Sequence, residues 1–132
     1  MNIKSSKELV KKALTEISTL KPAEVKELND KNECTLIDIR DIRELWRDGT
    51  LKGAVHIPRG MLEFWLDPNS QYYNDNMFSK DKKLVLFCAA GMRSALATKT
   101  LKDMGYKNIA HADGGFGSLS NFGFEIVSKD KK

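Results

Sequence analysis

One stretch, residues 84–94, constrains the fold of this chain more than any other. Its first four residues, 84–87, are apolar and predict a short buried strand, with Cys88 at its end. A turn of small residues comes next, and Ala95–Met104 then combines good helix formers with apolar residues at helical spacing. A strand, a tight turn and a helix in this order form the unit from which α/β folds with parallel sheets are built.

Signals for further strands and helices alternate along the chain. Ser5 and Glu8 have the spacing of a capping box, and the apolar stripe that follows predicts an N-terminal helix. Apolar runs predict strands and the segments between them predict short helices; the strands lie at 35–39, 54–57 and 108–112, and the helices at 22–29, 41–47, 60–66 and after the glycines at 114–115. The alternation predicts an α/β fold: a central parallel sheet of about five strands with helices on both faces, plus an extra N-terminal helix.

The same pattern divides the chain into three parts. We expect an N-terminal accessory helix at 1–18, the α/β domain at 19–128 and a C-terminal tail at 129–132. Within the domain, residues 67–83 are polar and rich in turn-forming residues. A connection of this length usually has a function, so the segment either frames a pocket or covers an edge of the sheet.

Composition and charge exclude several classes of function. The 132 residues fit one domain, and the net charge of +4 comes from basic residues mixed with acidic ones rather than from a basic stripe, which disfavours nucleic-acid binding. No apolar run has transmembrane length, and no secretory signal is apparent. Two cysteines do not make a disulfide framework, and His56 and His111 are isolated from both. We therefore expect a cytoplasmic protein that binds neither membranes nor metals.

Cys88 is the candidate nucleophile. A thiol between a strand and the N-terminus of a helix faces unpaired N–H groups and the positive end of the helix dipole, and both favour the thiolate. Ala89, Ala90 and Gly91 are small enough for their amides to curl around an anion. A buried structural cysteine is the alternative, but the anion-binding turn and the nearby Arg93 favour a reactive thiol.

Two other predicted strands end in polar residues. Asp38 lies at the end of one strand, and Arg59 follows Pro58 at the end of another. Because ligands of parallel sheets bind beyond the carboxyl ends of the strands, we expect these residues to lie near Cys88.

Four motifs in this order resemble the single-domain rhodanese family. The cysteine stretch has the family's Cys-x-x-Gly-x-Arg pattern, and three other segments have its Asp-x-Arg strand, its Gly-Ala-x-x-Ile-Pro segment and its late Gly-Gly turn; the four lie at 88–93, 36–40, 53–58 and 113–115. Glu44 stands in the helix after the second motif. Together the matches span about residues 19–127, nearly the whole domain.

The resemblance implies a sulfurtransferase without a cofactor. Cys88 would attack a small anionic sulfur donor or a protein persulfide, with thiosulfate and mercaptopyruvate as candidate small donors, and carry the sulfur as a persulfide to a small thiophilic acceptor. Asp38 and Arg59 would support the site. The persulfide would lie against the loop of Ala89, Ala90, Gly91, Met92 and Arg93.

Arg93 has two interpretations within this scheme. Its guanidinium either binds an anionic donor or pairs with an acid such as Glu44 to fix the loop, and we favour the pairing. Many thiosulfate-using members have a basic residue after the cysteine, where this chain has Ala89. The loss of that cation weakens the case for thiosulfate. Two further departures, the segment 49–53 without its usual His and Pro and Leu119 in place of a tryptophan, are expected to change packing only.

Other functions remain open. The chain is alternatively a non-enzymatic sulfur carrier or a regulatory binding module of the same fold. A phosphatase or arsenate reductase of this fold is a further alternative, but the loop of the related phosphatases is one residue longer than 88–93 and gives phosphate a wider cradle. Cys34 is either a resolving thiol for Cys88 or an ordinary, partly buried cysteine.

Overall fold

A computed structural model describes residues 2–77, 79 and 81–131 of the chain. Phe78 and Lys80, in the predicted 67–83 segment, and Lys132, in the predicted tail, lie outside the described residues. The helices are α1 (Ser6–Glu16), α2 (Pro22–Asp30), α3 (Ile42–Asp48), α4 (Leu62–Trp65), α5 (Met92–Met104) and α6 (Gly115–Phe122). The strands are β1 (Thr19–Leu20), β2 (Cys34–Asp38), β3 (Thr50–Leu51), β4 (Val55–His56), β5 (Lys83–Phe87), β6 (Ile109–Ala112) and β7 (Ile126–Val127).

A five-stranded parallel sheet forms the centre of the fold. Its strand order is β1-β6-β5-β2-β4, and every neighbouring pair is parallel. The predicted α/β fold with a central parallel sheet is therefore confirmed. All five strands end at the same edge, which places Cys88, immediately after β5, beside the end of β2.

Apolar side chains of the central strands alternate between the two faces of the sheet. Leu84 and Leu86 of β5 belong to a buried cluster with residues of α4 and α5. Val85 and Phe87 belong to the opposite cluster, which includes residues of α2 and α6. Because successive side chains of a strand point to opposite faces, one short apolar strand joins both cores. This is why helices cover both faces.

The N-terminal helix begins at the predicted capping residue. The Ser5 hydroxyl accepts a hydrogen bond from the Glu8 N–H at 3.0 Å. Helix α1 lies against α5, where Ala13 is buried and Glu16 lies 3.8 Å from the Lys99 ammonium. The helix thus packs on the domain rather than projecting from it.

Two segments differ in detail from the sequence interpretation. The sequence pattern predicted no strand at Thr50 and Leu51, but these residues form β3, which pairs antiparallel with β7. The helix expected at 60–66 is divided into a 3₁₀ turn, Arg59–Met61, and the single turn α4. Both differences concern elements too short to show a hydrophobic period.

Within the described ranges, no helix combines the length and apolar character needed to cross a membrane.

Candidate active site

Cys88 lies at the junction of β5 and α5, and its residue is only 1% exposed. Its Sγ atom accepts hydrogen bonds from the backbone N–H groups of Gly91, at 3.1 Å, and Ser94, at 3.3 Å. Ser94 lies in the first turn of α5, where N–H groups have no partner within the helix. The sulfur is therefore positioned where the helix stabilises a negative charge.

Other N–H groups of the loop remain available to an anion. Among the described contacts, the backbone N–H groups of Ala89, Ala90, Met92 and Arg93 have no hydrogen-bond acceptor. Together with the two N–H groups that already contact the sulfur, they give the loop an excess of main-chain donors. Such a set of donors binds an anion without any charged side chain.

Helix α6 fixes the orientation of two peptide groups in this loop. The Phe116 N–H donates to the Cys88 carbonyl at 2.7 Å, and the Gly117 N–H donates to the Ala89 carbonyl at 3.3 Å. Both peptide bonds are trans, so each N–H points away from its own carbonyl. The N–H groups of Ala89 and Ala90 consequently point away from α6.

The glycine turn before α6 makes this close approach possible. Gly115 has a left-handed backbone with φ of +61°, and a Cβ atom there would lie 2.4 Å from the Cys88 carbonyl oxygen. Any side chain would collide with the loop. Gly91 plays a related part at the start of α5, since its φ of +107° gives the turn that returns the chain toward the sulfur.

Arg93 is paired with Glu44, as the sequence interpretation favoured. Its guanidinium donates two hydrogen bonds to the Glu44 carboxylate, at 2.7 and 3.0 Å. These contacts lower the pKa of Glu44 and raise that of Arg93. Glu44 also accepts the Asp41 N–H at 3.1 Å, which caps α3. The pair therefore ties the start of α3 to the start of α5.

Asp38 supports the site at one remove. Its carboxylate accepts hydrogen bonds from Arg40, at 2.8 and 3.0 Å, and from the Thr50 hydroxyl at 2.7 Å. Both Asp38 and Arg40 are buried, at 0% and 1% exposure. The Arg40 guanidinium in turn lies 4.0 Å from the ring centroid of Phe116, the residue that holds the Cys88 carbonyl. Toward the side chains of the cysteine loop, the described interaction of Asp38 is electrostatic, because its carboxylate contributes to the raised pKa of Arg93.

The described side-chain contacts of Arg59 lie outside the cysteine loop. Its guanidinium donates to Glu63 at 2.7 Å and to the Thr100 hydroxyl at 3.5 Å. The spacing of four residues between Arg59 and Glu63 is itself a signal of helical pairing. The supporting role predicted for Arg59 stays a prediction. In the described residues, no three His, Cys, Asp or Glu side chains are grouped to hold a metal ion.

Sequence reasoning missed two residues: Ser94, which contacts the sulfur, and His111, which contacts Ser94. The Ser94 hydroxyl lies 3.5 Å from the Cys88 Sγ atom and 2.9 Å from the His111 Nδ1 atom. His111 is 2% exposed, and its burial lowers its pKa. The sequence carried no signal for this contact, because the contact depends on the pairing of β6 with β5.

Cys34 is not a resolving thiol for Cys88. It begins β2 opposite Lys83, which begins β5, whereas Cys88 follows the far end of β5. The five residue steps from 83 to 88 correspond to about 16 Å along the strand, and a disulfide requires Cα atoms within about 7 Å. Cys34 is an ordinary buried thiol, and its burial raises its pKa.

Comparisons with known proteins add a separate line of argument. The sequence profile of the rhodanese-like domain matches residues 21–121. A protein of unknown function from Rhodopseudomonas palustris, described as a possible tyrosine phosphatase, is 42% identical, with 96% of this chain and 97% of that one covered and a TM-score of 0.89. The polysulfide-sulfur transferase homodimer of Wolinella succinogenes is 32% identical, with 94% of this chain and 88% of that one covered and a TM-score of 0.72.

Curated relatives include much longer proteins. The tRNA uridine(34) hydroxylase of Erwinia tasmaniensis is 33% identical over 100 residues, which are 73% of this chain and 26% of that protein. The chain thus spans about a quarter of the length of the first such relatives. The similarity concerns one part of those proteins.

Proposed function

This chain belongs to the rhodanese-like domain family, and from that premise we propose that it transfers sulfane sulfur through a persulfide on Cys88. One observation carries the proposal: the Sγ atom accepts two main-chain N–H groups at the N-terminus of α5, and four further N–H groups of the same loop have no acceptor among the described contacts. A persulfide is a thiolate extended by one sulfur, and its anionic outer atom needs such donors.

The reaction takes two displacement steps. The Cys88 thiolate attacks the sulfane sulfur of the donor, a new S–S bond forms, and the donor leaves with the electron pair of the bond that breaks. With thiosulfate as donor, the leaving group is sulfite. An acceptor thiol or cyanide then attacks the outer sulfur, and the electron pair of the S–S bond returns to Cys88 as thiolate. The protein itself is neither oxidised nor reduced over the cycle.

The rim of the loop favours a donor presented by another protein over free thiosulfate. Ala89 and Ala90 are exposed and uncharged, Met92 is 63% exposed, and Arg93 is engaged by Glu44. Thiosulfate, a dianion, therefore meets no unpaired cationic side chain among residues 89–93, whereas a protein persulfide needs only access to the sulfur. Both cysteines are free thiols, which fits a reducing cytoplasm, where we place the protein. The hydroxylase activity named for the longer relatives is not part of the proposal.

Phosphate-ester hydrolysis is the second candidate, because the Rhodopseudomonas palustris relative is described as a possible tyrosine phosphatase. Two features of this chain speak against it. Only four residues separate Cys88 from Arg93, and the guanidinium that would bind phosphate is instead held by the Glu44 carboxylate at 2.7 Å.

Intact-protein mass spectrometry tests the proposal directly. The protein is incubated with thiosulfate, mercaptopyruvate, polysulfide or a persulfidated donor protein. We expect a gain of about 32 Da, one sulfur atom, that cyanide removes as thiocyanate. The Cys34→Ser variant is the matched control and retains the gain, whereas Cys88→Ser loses it.

The adducts found with each donor, together with a phosphatase assay, distinguish a sulfurtransferase from a sulfur carrier and from a phosphatase. Transfer from a protein donor alone, without turnover of small donors, identifies a sulfur carrier. Hydrolysis of p-nitrophenyl phosphate that depends on Cys88, with no sulfur adduct from any donor, would replace the proposal with a phosphatase.

A further inference from the structure

A chain of hydrogen bonds leads from the protein surface to the Cys88 sulfur. The Thr19 hydroxyl lies 3.1 Å from the His111 Nε2 atom, the His111 Nδ1 atom lies 2.9 Å from the Ser94 hydroxyl, and that hydroxyl lies 3.5 Å from Sγ. Thr19 is exposed, and the other members are buried. We propose that this series of hydrogen bonds carries the proton of the Cys88 thiol to solvent and that His111 changes tautomer during the transfer. The proposal rests on the role of Cys88 as nucleophile given above.

Burial of the sulfur makes such a path necessary. The backbone N–H groups of Gly91 and Ser94 stabilise a thiolate but cannot accept a proton. Among the described contacts of the Cys88 sulfur, the acceptor for the thiol proton is the Ser94 hydroxyl oxygen. Its next partner is an imidazole, a side chain that accepts a proton at one ring nitrogen, releases one from the other and so remains neutral.

The transfer shifts each hydrogen by one position. Before it, the thiol donates to the Ser94 oxygen, the Ser94 O–H donates to Nδ1 of His111, and Nε2–H donates to the Thr19 oxygen. After it, the Ser94 O–H donates to the thiolate, Nδ1–H donates to the Ser94 oxygen, and the Thr19 O–H donates to Nε2. One proton has left for solvent, and His111 is neutral in both states.

The surroundings of His111 fit a neutral relay. Its burial lowers its pKa, whereas Asp113, in the turn after β6, acts in the opposite direction. Arg93, at the start of α5, interacts electrostatically with Cys88. The Gly91 carbonyl is a second acceptor for the Ser94 hydroxyl, but its distance of 3.3 Å is longer than the 2.9 Å to His111. The ring is thus the better partner of that hydroxyl.

Nitrogen-15 NMR of the histidine rings tests the tautomer change. As the pH rises through the range in which iodoacetamide begins to alkylate Cys88, we expect His111 to change from the Nε2–H to the Nδ1–H form with the same midpoint. His56 is an internal control for the tautomer, because its Nε2 atom lies 2.7 Å from the Arg40 carbonyl oxygen, which can only accept from an Nε2–H group. The change should be absent from Cys88→Ser. A single His111 tautomer throughout, or a change that persists in Cys88→Ser, would overturn the proposal.

Alkylation profiles of three variants provide the second readout. Ser94→Ala removes the hydroxyl donor to the thiolate, so we expect about tenfold slower alkylation below the midpoint. Thr19→Val removes only the hydroxyl at the exposed end of the series of hydrogen bonds. It should slow alkylation two- to tenfold, about the effect of one hydrogen bond. Thr19→Ser keeps the hydroxyl and should restore the rate. Profiles of Thr19→Val and Ser94→Ala that match the parent protein contradict the proposal.

Neither readout uses a sulfur donor. The result therefore stands apart from the persulfide test, and a protein that failed to accept sulfur could still show the tautomer change.

Discussion

Replacing Gly115 by alanine places a methyl group against the backbone of the cysteine loop. The added Cβ atom would lie 2.4 Å from the Cys88 carbonyl oxygen and 2.8 Å from the Ala89 carbonyl carbon, whereas ordinary contacts begin at 3.4 Å. Relief of the collision requires α6 and the loop to separate by about 1 Å. That separation weakens the 2.7 Å hydrogen bond from Phe116 to the Cys88 carbonyl, which contributes about 1 kcal/mol.

The total effect has a backbone part and a loop part. A left-handed φ costs a non-glycine residue about 1 kcal/mol, and with the lost hydrogen bond and residual strain we expect Gly115→Ala to lower the free energy of unfolding by about 2–4 kcal/mol. A displacement of about 1 Å in the donors around Cys88 should also slow persulfide formation by about 100-fold.

Gly123→Ala is the matched control at the other end of α6. Its φ is +113°, and nothing lies within 4 Å of the added Cβ atom, so this variant has backbone strain without a collision. Because a φ of +113° is less favourable for alanine than the +61° of Gly115, its loss of stability is an upper limit for the backbone part at Gly115. Urea denaturation measures stability, and the rate of Cys88 alkylation or persulfide formation measures the site. Equal stability and equal rates in the two variants would refute the argument that Gly115 shapes the loop.

Two further predictions concern ion pairs. Glu44→Gln keeps the cap on α3 but removes the charge opposite Arg93, and because the side chains are 19% and 43% exposed, we expect a loss of only about 1 kcal/mol at pH 7. Arg93 lowers the pKa of Glu44, so the contribution of the pair is complete above the pKa of the unfolded carboxyl group, about 4.3, and is lost as the pH falls through the pKa in the folded state. Urea denaturation of the parent protein and the variant measures this contribution, and a difference in stability that stays constant from about pH 7 to pH 3 contradicts the prediction. Asp38→Ala leaves Arg40 buried without its partner carboxylate and should lower the free energy of unfolding by about 3–5 kcal/mol. A loss below about 1 kcal/mol would show that the Asp38–Arg40 pair does not stabilise the fold.

The parts of the fold that depend on local pattern were predictable. The four apolar residues of 84–87, the small turn after Cys88 and the helical spacing that follows identify the strand–loop–helix unit, and the sheet confirms it. Ser5 and Glu8 likewise predicted the start of α1. In each case the signal lies within a few residues of the structure it describes.

Contacts that depend on strand order were not predictable. Ser94 and His111 are 17 residues apart, and His111 and Thr19 are 92 residues apart. Nothing in the pattern of either segment says that β1 and β6 are neighbours at the edge of the sheet. The burial of Arg40 was not predictable either. Arginine is rarely buried unless it is paired, and its burial here depends on the ion pair with Asp38.

The orientation of the loop peptides has a consequence for how this site can change. The loop offers main-chain N–H groups to an anion, while the side chains of Ala89, Ala90 and Met92 are exposed. On the function proposed above, the groups that stabilise a persulfide and the side chains that meet a sulfur donor therefore belong to different parts of the same loop. Under that function, substitutions at 89, 90 and 92 change which sulfur donor approaches, while Cys88 and the N–H groups around it stay in place. Natural variation or laboratory selection at these three positions then reaches new sulfur donors without removing the nucleophile.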